Sequence, residues 1–389
     1  MTTENVSAVQ AQQAWWLRRR SELLQLAESC QSAYVYDPGT VRAAVDRLRH
    51  MRSIDRILFA MKSNFNTELL RLLDGLSVDF ECVSPGEIEH LLTAVPSLSK
   101  SRILFTPNFA PRADYEWAVA NEIRITLDNL FPLRHWPSVF AGQELFVRLD
   151  PGLGRGHHDH VITAGEHSKF GIPLFELDEL QSRAADAGAR IVGVHAHSGS
   201  GIGEADTWGR VAAVLAEAAE RFPQAKVLDL GGGLSVPSRP GDRAFDLDGM
   251  DEALEAVRRR FPDYELWLEP GRFLVSEAGV LLTHVTQTKG KGEHRYVGLS
   301  AGMNALIRPS LYNAYHEIVN LTRVDQPAEF KVTFVGPICE TGDTLGRDRA
   351  MPACHENDVV LILNAGAYGR VMASEYNLRA IPAEIVLPV

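Results

Sequence analysis

Eight times between residues 57 and 269 the chain repeats one pattern: a short β-rich run, then in most cases an amphipathic stretch of helix length. The runs are 57–60, 78–83, 102–106, 124–128, 145–150, 191–197, 226–230 and 265–269. Strands separated by helices pair in parallel, because the crossover returns the chain to the same end of the sheet. Eight such units over roughly 240 residues have the size of a closed (β/α)8 barrel. A doubly wound open sheet is the alternative on pattern alone. Beyond about residue 280 the rhythm changes. V-L-L-T-H-V-T-Q-T, H-R-Y-V-G-L, F-K-V-T-F-V and D-V-V-L-I-L follow one another without regular helices, which reads as a mostly antiparallel β domain. An early strand at 33–36 lies outside the eight, and 13–29 has helical apolar spacing. The expected division is a barrel over 38–280 and a β domain over 281–389 joined by residues 1–37.

The length of 389 residues suits two such domains. A net charge of −11 argues against a nucleic-acid surface, which needs clustered basic groups. No apolar run approaches a membrane span. The opening M-T-T-E-N-V-S-A lacks the charged-then-apolar pattern of a secretory signal, and the four cysteines form no C-x-x-C pair. A reducing cytoplasm is the expected setting.

Active sites of (β/α)8 barrels lie at the C-terminal ends of the strands. Chemically able residues collect there. Lys62 follows the first run, Ser84 and Glu87 the second, and Arg148 lies in the fifth. His195, His197 and Ser200 end the sixth, Gly231, Gly232 and Gly233 the seventh, and Glu269, Gly271 and Arg272 the eighth.

Each has an ordinary reading and a chemical one. Lys62 is either a surface lysine at a strand exit or a desolvated amine able to attack an aldehyde. The glycine triplet is either a flexible turn or a cradle whose N–H groups approach an anion. Its place after the seventh strand, with Gly271 after the eighth, matches where barrels commonly hold phosphate. His197 is either a core histidine or a flat ring for an aromatic cofactor to stack on. His195 and His197 share a strand face, but no third ligand stands at a recognisable spacing, so no metal is expected. Glu269 is either an arginine's partner or an anion that keeps a pyridine nitrogen protonated. In the β domain, Cys339 lies between Pro337 and the carboxylates Glu340 and Asp343, a poor place for a core residue and a reasonable one for a proton donor. Arg308 with Tyr312 can clamp a carboxylate, and Tyr368 is flanked by small residues.

The motifs A-M-K-S-N, E-C-V-S-P-G-E, S-K-F-G-I, H-A-H-S-G-S, L-G-G-G-L, E-P-G-R, A-G-M-N-x-L-I-R-P-x-L-Y, G-P-I-C-E-T-G-D and N-A-G-A-Y-G run from about Tyr34 to the end. Together they resemble the fold-type III pyridoxal 5'-phosphate (PLP) decarboxylases, whose fold is that of alanine racemase, and most closely the diaminopimelate branch. The resemblance implies that Lys62 carries the cofactor as a Schiff base and that His197 stacks on its ring. Ser200, Gly231, Gly232, Gly233, Gly271 and Arg272 would hold the phosphate, and Glu269 would meet the ring nitrogen. Asp79 and Arg148 would lie near the cofactor, and Tyr368 would reach the phosphate or the substrate. Arg272, Arg308 and Tyr312 would bind a distal carboxylate, with Glu340 facing a distal ammonium. Cys339 would return a proton after CO2 leaves. Cys339 and Glu340 come from the partner subunit in this family, so a homodimer is implied.

The implied reaction is decarboxylation of meso-2,6-diaminopimelate to L-lysine. Glu340 stands where the ornithine branch has Asp, and the R-P-x-L-Y segment is present. Ser300 replaces a frequent Asp before A-G-M-N, and Thr341 a more usual Ser. The same chemistry on another diamino acid, or on a conjugated amino acid, is therefore the alternative. A racemase would favour an arginine where Glu269 stands, and a catalytically dead homologue would lack Lys62 or Cys339.

Overall fold

The computed structural model describes residues 14–152 and 168–388. The chain divides into two compact units: one of residues 44–235 and 245–273, the other of residues up to 43, 236–244 and 274 onward. The limits fall inside the 38–280 read from periodicity. One end lies within the helix Pro38–Arg49 and the other just after Phe273. The insert 236–244 joins the second unit, which no periodicity reveals.

The first strand, β1 (Ser32–Tyr36), belongs to the second unit. The eight expected runs follow as β2 (Arg56–Ala60), β3 (Asp79–Cys82), β4 (Ile103–Phe105), β5 (Arg124–Leu127) and β6 (Glu144–Asp150). After the two-residue β7 (Ile172–Pro173) come β8 (Arg190–His195), β9 (Val227–Asp229) and β10 (Glu265–Leu268). Their order is β5-β4-β3-β2-β10-β9-β8-β6, and β5 pairs with β6 to close the barrel. Every pairing is parallel. The strands are short and buried almost throughout, as expected where both sheet faces are covered.

Helix starts follow capping chemistry. Asn66 accepts the N–H groups of Glu68 and Leu69, and Asp246 accepts that of Gly249. Ser84 accepts the Glu87 N–H at 3.2 Å, while the Glu87 carboxylate takes the Val83 N–H at 2.8 Å. Ser84 and Glu87, noted at a strand end, are thus engaged in starting a helix.

The barrel interior holds Leu58, Leu104, Phe146, Val227 and Trp267 from five strands. Phe146 and Trp267 lie 5.4 Å apart by ring centroids. Gly193 faces Phe146 in register. A Cβ there would stand 2.4 Å from the Phe146 ring, so glycine is what lets the ring lie across the barrel. At the N-terminal strand ends Arg56 covers Trp267 at 4.7 Å, and Asp79 binds Arg56 and Arg102.

The second unit is built on the 13-residue strand β11 (Gly279–Lys291). It continues through β12 (His294–Leu299), β13 (Ile318–Asn320), β14 (Phe330–Val335), β15 (Thr344–Met351), β16 (Val359–Ile362) and β17 (Ala383–Val386). The order β13-β16-β11-β12-β14-β15 is antiparallel except at β12–β14, and β1 joins β11 antiparallel and β17 parallel. The expected N-terminal helix appears as Trp15–Arg18 and Arg20–Ala27. It buries Trp15, Leu23 and Ala27 against Val35, Val280, Leu282 and Leu361. No helix among the described residues is long and apolar enough to cross a membrane.

Gly193→Ala is expected to cost about 1–3 kcal/mol by overpacking. It should lower the urea-unfolding midpoint, and adding Phe146→Leu should recover part of the loss. An unchanged midpoint in the single variant would contradict the packing described.

Candidate active site

The C-terminal strand ends carry a layer of polar side chains above the apolar interior. Lys62 sits on the turn Met61–Ser63 directly after β2. Its Nζ lies 2.8 Å from Oε2 of Glu81, and the Thr106 hydroxyl donates to the other oxygen of Glu81. The Glu81 side chain is 1% exposed and that of Lys62 38%, so the carboxylate is an internal anchor while the amine stays accessible.

Arg148 is nearly enclosed. Its Nη1 lies 3.6 Å from Asp128, and its guanidinium stacks 4.4 Å above the Phe170 ring. Asp128 also accepts from Asn108 and from the Gly171 N–H. Burial pushes Asp128 up, with Arg148 opposing, and burial pulls Arg148 down.

Three further groups, His195, Asp229 and Glu269, are buried with donor atoms within 4.8 Å of one another. His195 Nε2 is 3.1 Å from Oε2 of Glu269. Burial works to raise Glu269, but the attraction and hydrogen bond of His195, with help from Lys62, leave it lowered. Asp229 is pushed well up, first by burial and then by the charge of Glu269. The pair therefore divides its roles: Glu269 is the anion and Asp229 keeps its proton. A cation drawn to this trio would have to displace that proton. Oδ1 of Asp229 accepts the Gly231 N–H at 3.0 Å, so Asp229 links the glycine triplet to the carboxylate pair.

The triplet is held by backbone contacts on three sides. Gly231 and Gly233 have φ of +64° and +102°, which favour glycine. A Cβ on Gly232 would lie 2.3 Å from the Glu269 carbonyl oxygen, and one on Gly233 2.4 Å from that of Gly199. The Gly232 N–H donates to Nδ1 of His197 at 3.1 Å. That bond needs a lone pair on Nδ1, so the neutral ring carries its proton on Nε2. Burial, then the charges of Arg148 and Lys62, push His197 well down and keep it neutral. Arg272 Nη2 donates to Ser200 at 3.1 Å, and a Cβ on Gly271 would stand 2.9 Å from the Ser63 hydroxyl. The loops after β2, β8, β9 and β10 are thus fastened together.

These residues fit the expected cofactor. Glu269 is a buried carboxylate held in its charged form, the state that a protonated ring nitrogen would pair with. The amine of Lys62 is accessible, His197 offers a neutral ring, and the glycine loop with Ser200 and Arg272 suits a phosphate.

Asp79 is a correction. It occupies the N-terminal end of β3, where its carboxylate takes Arg102 at 2.6 Å and is bonded by Arg56, at the end of the barrel opposite the polar layer. Glu81, two residues on along the same face, is the carboxylate that reaches Lys62. Glu81, Thr106, Asp128 and Asp229 do not stand out in the sequence because each lies inside a run that otherwise reads as a buried strand. The usable signal was a polar residue at the C-terminal end of an otherwise apolar run.

The second unit arranges its own candidates. Arg308 and Tyr312 lie on the short helix Arg308–Tyr312, with Arg308 buried and Tyr312 half-buried. Ser310 donates to the Gly342 carbonyl at 2.7 Å, tying this helix to the loop that bears Cys339 and Glu340. Asp343 accepts the Met303 and Ile338 N–H groups at 2.6 and 2.7 Å, fastening A-G-M-N to G-P-I-C-E-T-G-D. A Cβ on Gly336 would lie 2.2 Å from Gly302 Cα, which explains the two glycines. Cys339 and Glu340 are exposed, with the Cys339 N–H bonded to Asn377 at 2.7 Å. Tyr368 is half-buried at φ 57°, an uncommon conformation for a non-glycine residue. Ser300 bonds Ser32, Thr283 and the Gln31 carbonyl, so this departure is absorbed within the sheet.

Residues 39–276 match the family model of the pyridoxal-dependent decarboxylase pyridoxal-binding domain. The chain belongs to the pyridoxal-dependent decarboxylases. Among known members of that family it is similar to the diaminopimelate decarboxylase of Methanothermobacter thermautotrophicus, 35% identical over 91% of this chain and 86% of the relative. Among solved structures it is similar to Helicobacter pylori diaminopimelate decarboxylase complexed with L-lysine, with TM-score 0.86, 28% identity and 92% of each chain covered. It is also similar to lysine decarboxylase from Selenomonas ruminantium, with TM-score 0.83, 26% identity and 94% and 95% covered. Pyridoxal phosphate is the cofactor, and amino-acid decarboxylation is the chemistry of this family.

Asp229→Asn keeps a neutral group where the acid already holds its proton. The parent chain must retain that proton above the unfolded carboxyl pKa of about 4, which costs it stability as pH rises. The variant's stability relative to the parent should therefore grow from pH 4 to pH 8 in urea titrations. A flat difference would mean that Asp229 ionises in the folded chain.

Proposed function

We propose that this decarboxylase converts meso-2,6-diaminopimelate to L-lysine and CO2, as a homodimer in a reducing cytoplasm. The observation that carries the reaction is Glu269, a buried carboxylate held by His195 and kept in its charged form. Opposite a ring nitrogen it would keep that nitrogen protonated. Pyridoxal phosphate, when bound, supplies the electron sink for the pair released as the C–CO2 bond breaks.

The chain's residues then have distinct tasks. Lys62 presents its amine to the cofactor aldehyde, and Glu81 orients it. His197 gives a flat neutral surface to the ring. The triplet Gly231–Gly233, with Gly271, Ser200 and Arg272, receives the phosphate, and Tyr368 reaches the phosphate or the substrate. Arg148 and Asp128 set the charge beneath. Arg272, Arg308 and Tyr312 take the carboxylate of the far amino-acid head, and Glu340 its ammonium. Cys339 delivers a proton to the carbon that lost CO2. The exposure of Cys339 and Glu340 in a single chain supports their use by a second copy. The relatives named diaminopimelate decarboxylase support the substrate choice. Four unpaired cysteines suit the reducing setting.

Purified enzyme given pyridoxal phosphate and meso-diaminopimelate should release CO2 and lysine in equal amounts. Release of cadaverine from lysine, with diaminopimelate untouched, would instead point to a lysine-type enzyme. Cys339→Ala should lower turnover by roughly 10²–10⁴-fold while the bound-cofactor absorbance persists, because only the proton donor is lost. Lys62→Ala should abolish covalent cofactor capture by borohydride. Mixing these two inactive variants should restore activity if Cys339 serves the partner's site, and no recovery would argue for self-contained chains.

A further inference from the structure

The segment A-S-E-Y-N-L-R, before the last strand, holds two successive residues, Asn377 and Leu378, at φ of 57° and 56°. Asparagine visits this left-handed region readily, and leucine does not. Leu378 is 95% exposed, so the turn is not made to bury it. Strained turns persist where their surroundings fix them, and they gather at functional sites. The Ser374 N–H donates to the Asn304 carbonyl at 2.8 Å, and Asn304 Nδ2 donates to the Ser374 carbonyl at 3.4 Å. The Leu378 N–H closes on the Glu375 carbonyl at 2.8 Å. The turn then presents Oδ1 of Asn377, which accepts the Cys339 N–H at 2.7 Å. That bond holds the cysteine from outside its own loop. On either side of it, the Ile338 N–H goes to Asp343 at 2.7 Å and the Glu340 N–H to the Ile338 carbonyl at 2.8 Å, both within G-P-I-C-E-T-G-D. The Cys339 side chain is exposed and makes no hydrogen bond among the described residues, so the backbone sets its direction. Both loops rest on A-G-M-N, one through the Met303 N–H to Asp343 and the other through Asn304 to Ser374. Asn377 joins them again at the cysteine.

We infer that Asn377 is a positioning residue for the reaction, a fixed acceptor that holds the Cys339 backbone and so aims the thiol at the carbon that lost CO2. The inference rests on the role proposed above for Cys339. When CO2 leaves, the electron pair left behind takes a proton at one of two carbons. A proton on the substrate carbon gives the amine product. A proton on the cofactor carbon is followed by hydrolysis, which releases pyridoxamine phosphate and an aldehyde. A donor aimed at the substrate carbon decides between them. Proton transfer needs the donor within hydrogen-bond reach, so a loosened Cys339 gives up that control.

The test uses the holoenzyme with meso-diaminopimelate, or with lysine if that is the amino acid turned over. Asn377→Gly removes the acceptor at a conformation that glycine adopts freely. Asn377→Ser leaves a hydroxyl too short to reach the Cys339 N–H, and Asn377→Asp keeps an oxygen in place. The Gly and Ser variants should lose about tenfold to a hundredfold in kcat, with KM within about twofold. Their yield of pyridoxamine phosphate per turnover should rise severalfold. Hydrogen exchange at the Cys339 amide should quicken in the enzyme without substrate, while bound-cofactor absorbance holds. Asn377→Asp should recover most of kcat. Asn377→Gly combined with Cys339→Ala should be no slower than Cys339→Ala alone, because both changes act on one proton transfer. Faster amide exchange with unchanged kcat and pyridoxamine phosphate yield would overturn the inference. So would additive losses in the double variant, or an Asp variant that binds cofactor yet fails to recover. Full turnover in Cys339→Ala would place the failure in the reading of Cys339 itself, and would overturn the inference with it.

Discussion

Closing eight parallel strands into a barrel brings four carboxyl groups, Glu81, Asp128, Asp229 and Glu269, into one buried layer. Like charges cannot all ionise in so small and dry a space. The layer is balanced by Lys62 on Glu81, Arg148 beside Asp128, His195 on Glu269 and a retained proton on Asp229. Lys62, Arg148 and His195 come from different strands or strand exits, so the arrangement exists only in the closed barrel. It leaves the two features on which the chemistry turns: an accessible amine at Lys62 and a charged Glu269.

The same economy governs the loops. Backbone packs on backbone at Gly231, Gly232 and Gly233, where any side chain would strike a neighbouring loop. The hydrogen bonds of Asp229 to Gly231 and of Gly232 to His197 then join the phosphate cradle to the acid trio and the stacking ring. In the second unit Asp343 performs a comparable service, holding two glycine-bearing motifs by their N–H groups. Stiff loops of this kind hold binding groups in place before a ligand arrives, which lowers the entropic cost of binding.

Much of this was legible in the chain. The eight runs, the change of rhythm near residue 280, and the placement of Lys62, His197, the glycine triplet and Glu269 at strand ends need only periodicity and the rule that barrel sites lie at C-terminal strand ends. Asp79 shows where that reasoning stops. Asp79 and Glu81 lie on one face of one four-residue strand, and sequence spacing cannot say which end of it meets Lys62. Register decides: Leu58 lies opposite Asp79 and Ala60 opposite Glu81, and Lys62 follows Ala60. Glu81, not Asp79, is therefore at the lysine's level.

The sequence by itself determined the element types, the barrel and the identity of most chemically able residues, because these follow from local periodicity and from residue types that have few other uses in such positions. Tertiary structure alone decided protonation and pairing. Glu269 is charged and Asp229 neutral because of their shared burial and one histidine. His197 is neutral because burial and the charges of Arg148 and Lys62 oppose its protonation while the Gly232 N–H takes its Nδ1. Those outcomes depend on distances of about 3 Å between residues tens of positions apart, and such distances exist only once the chain has closed on itself.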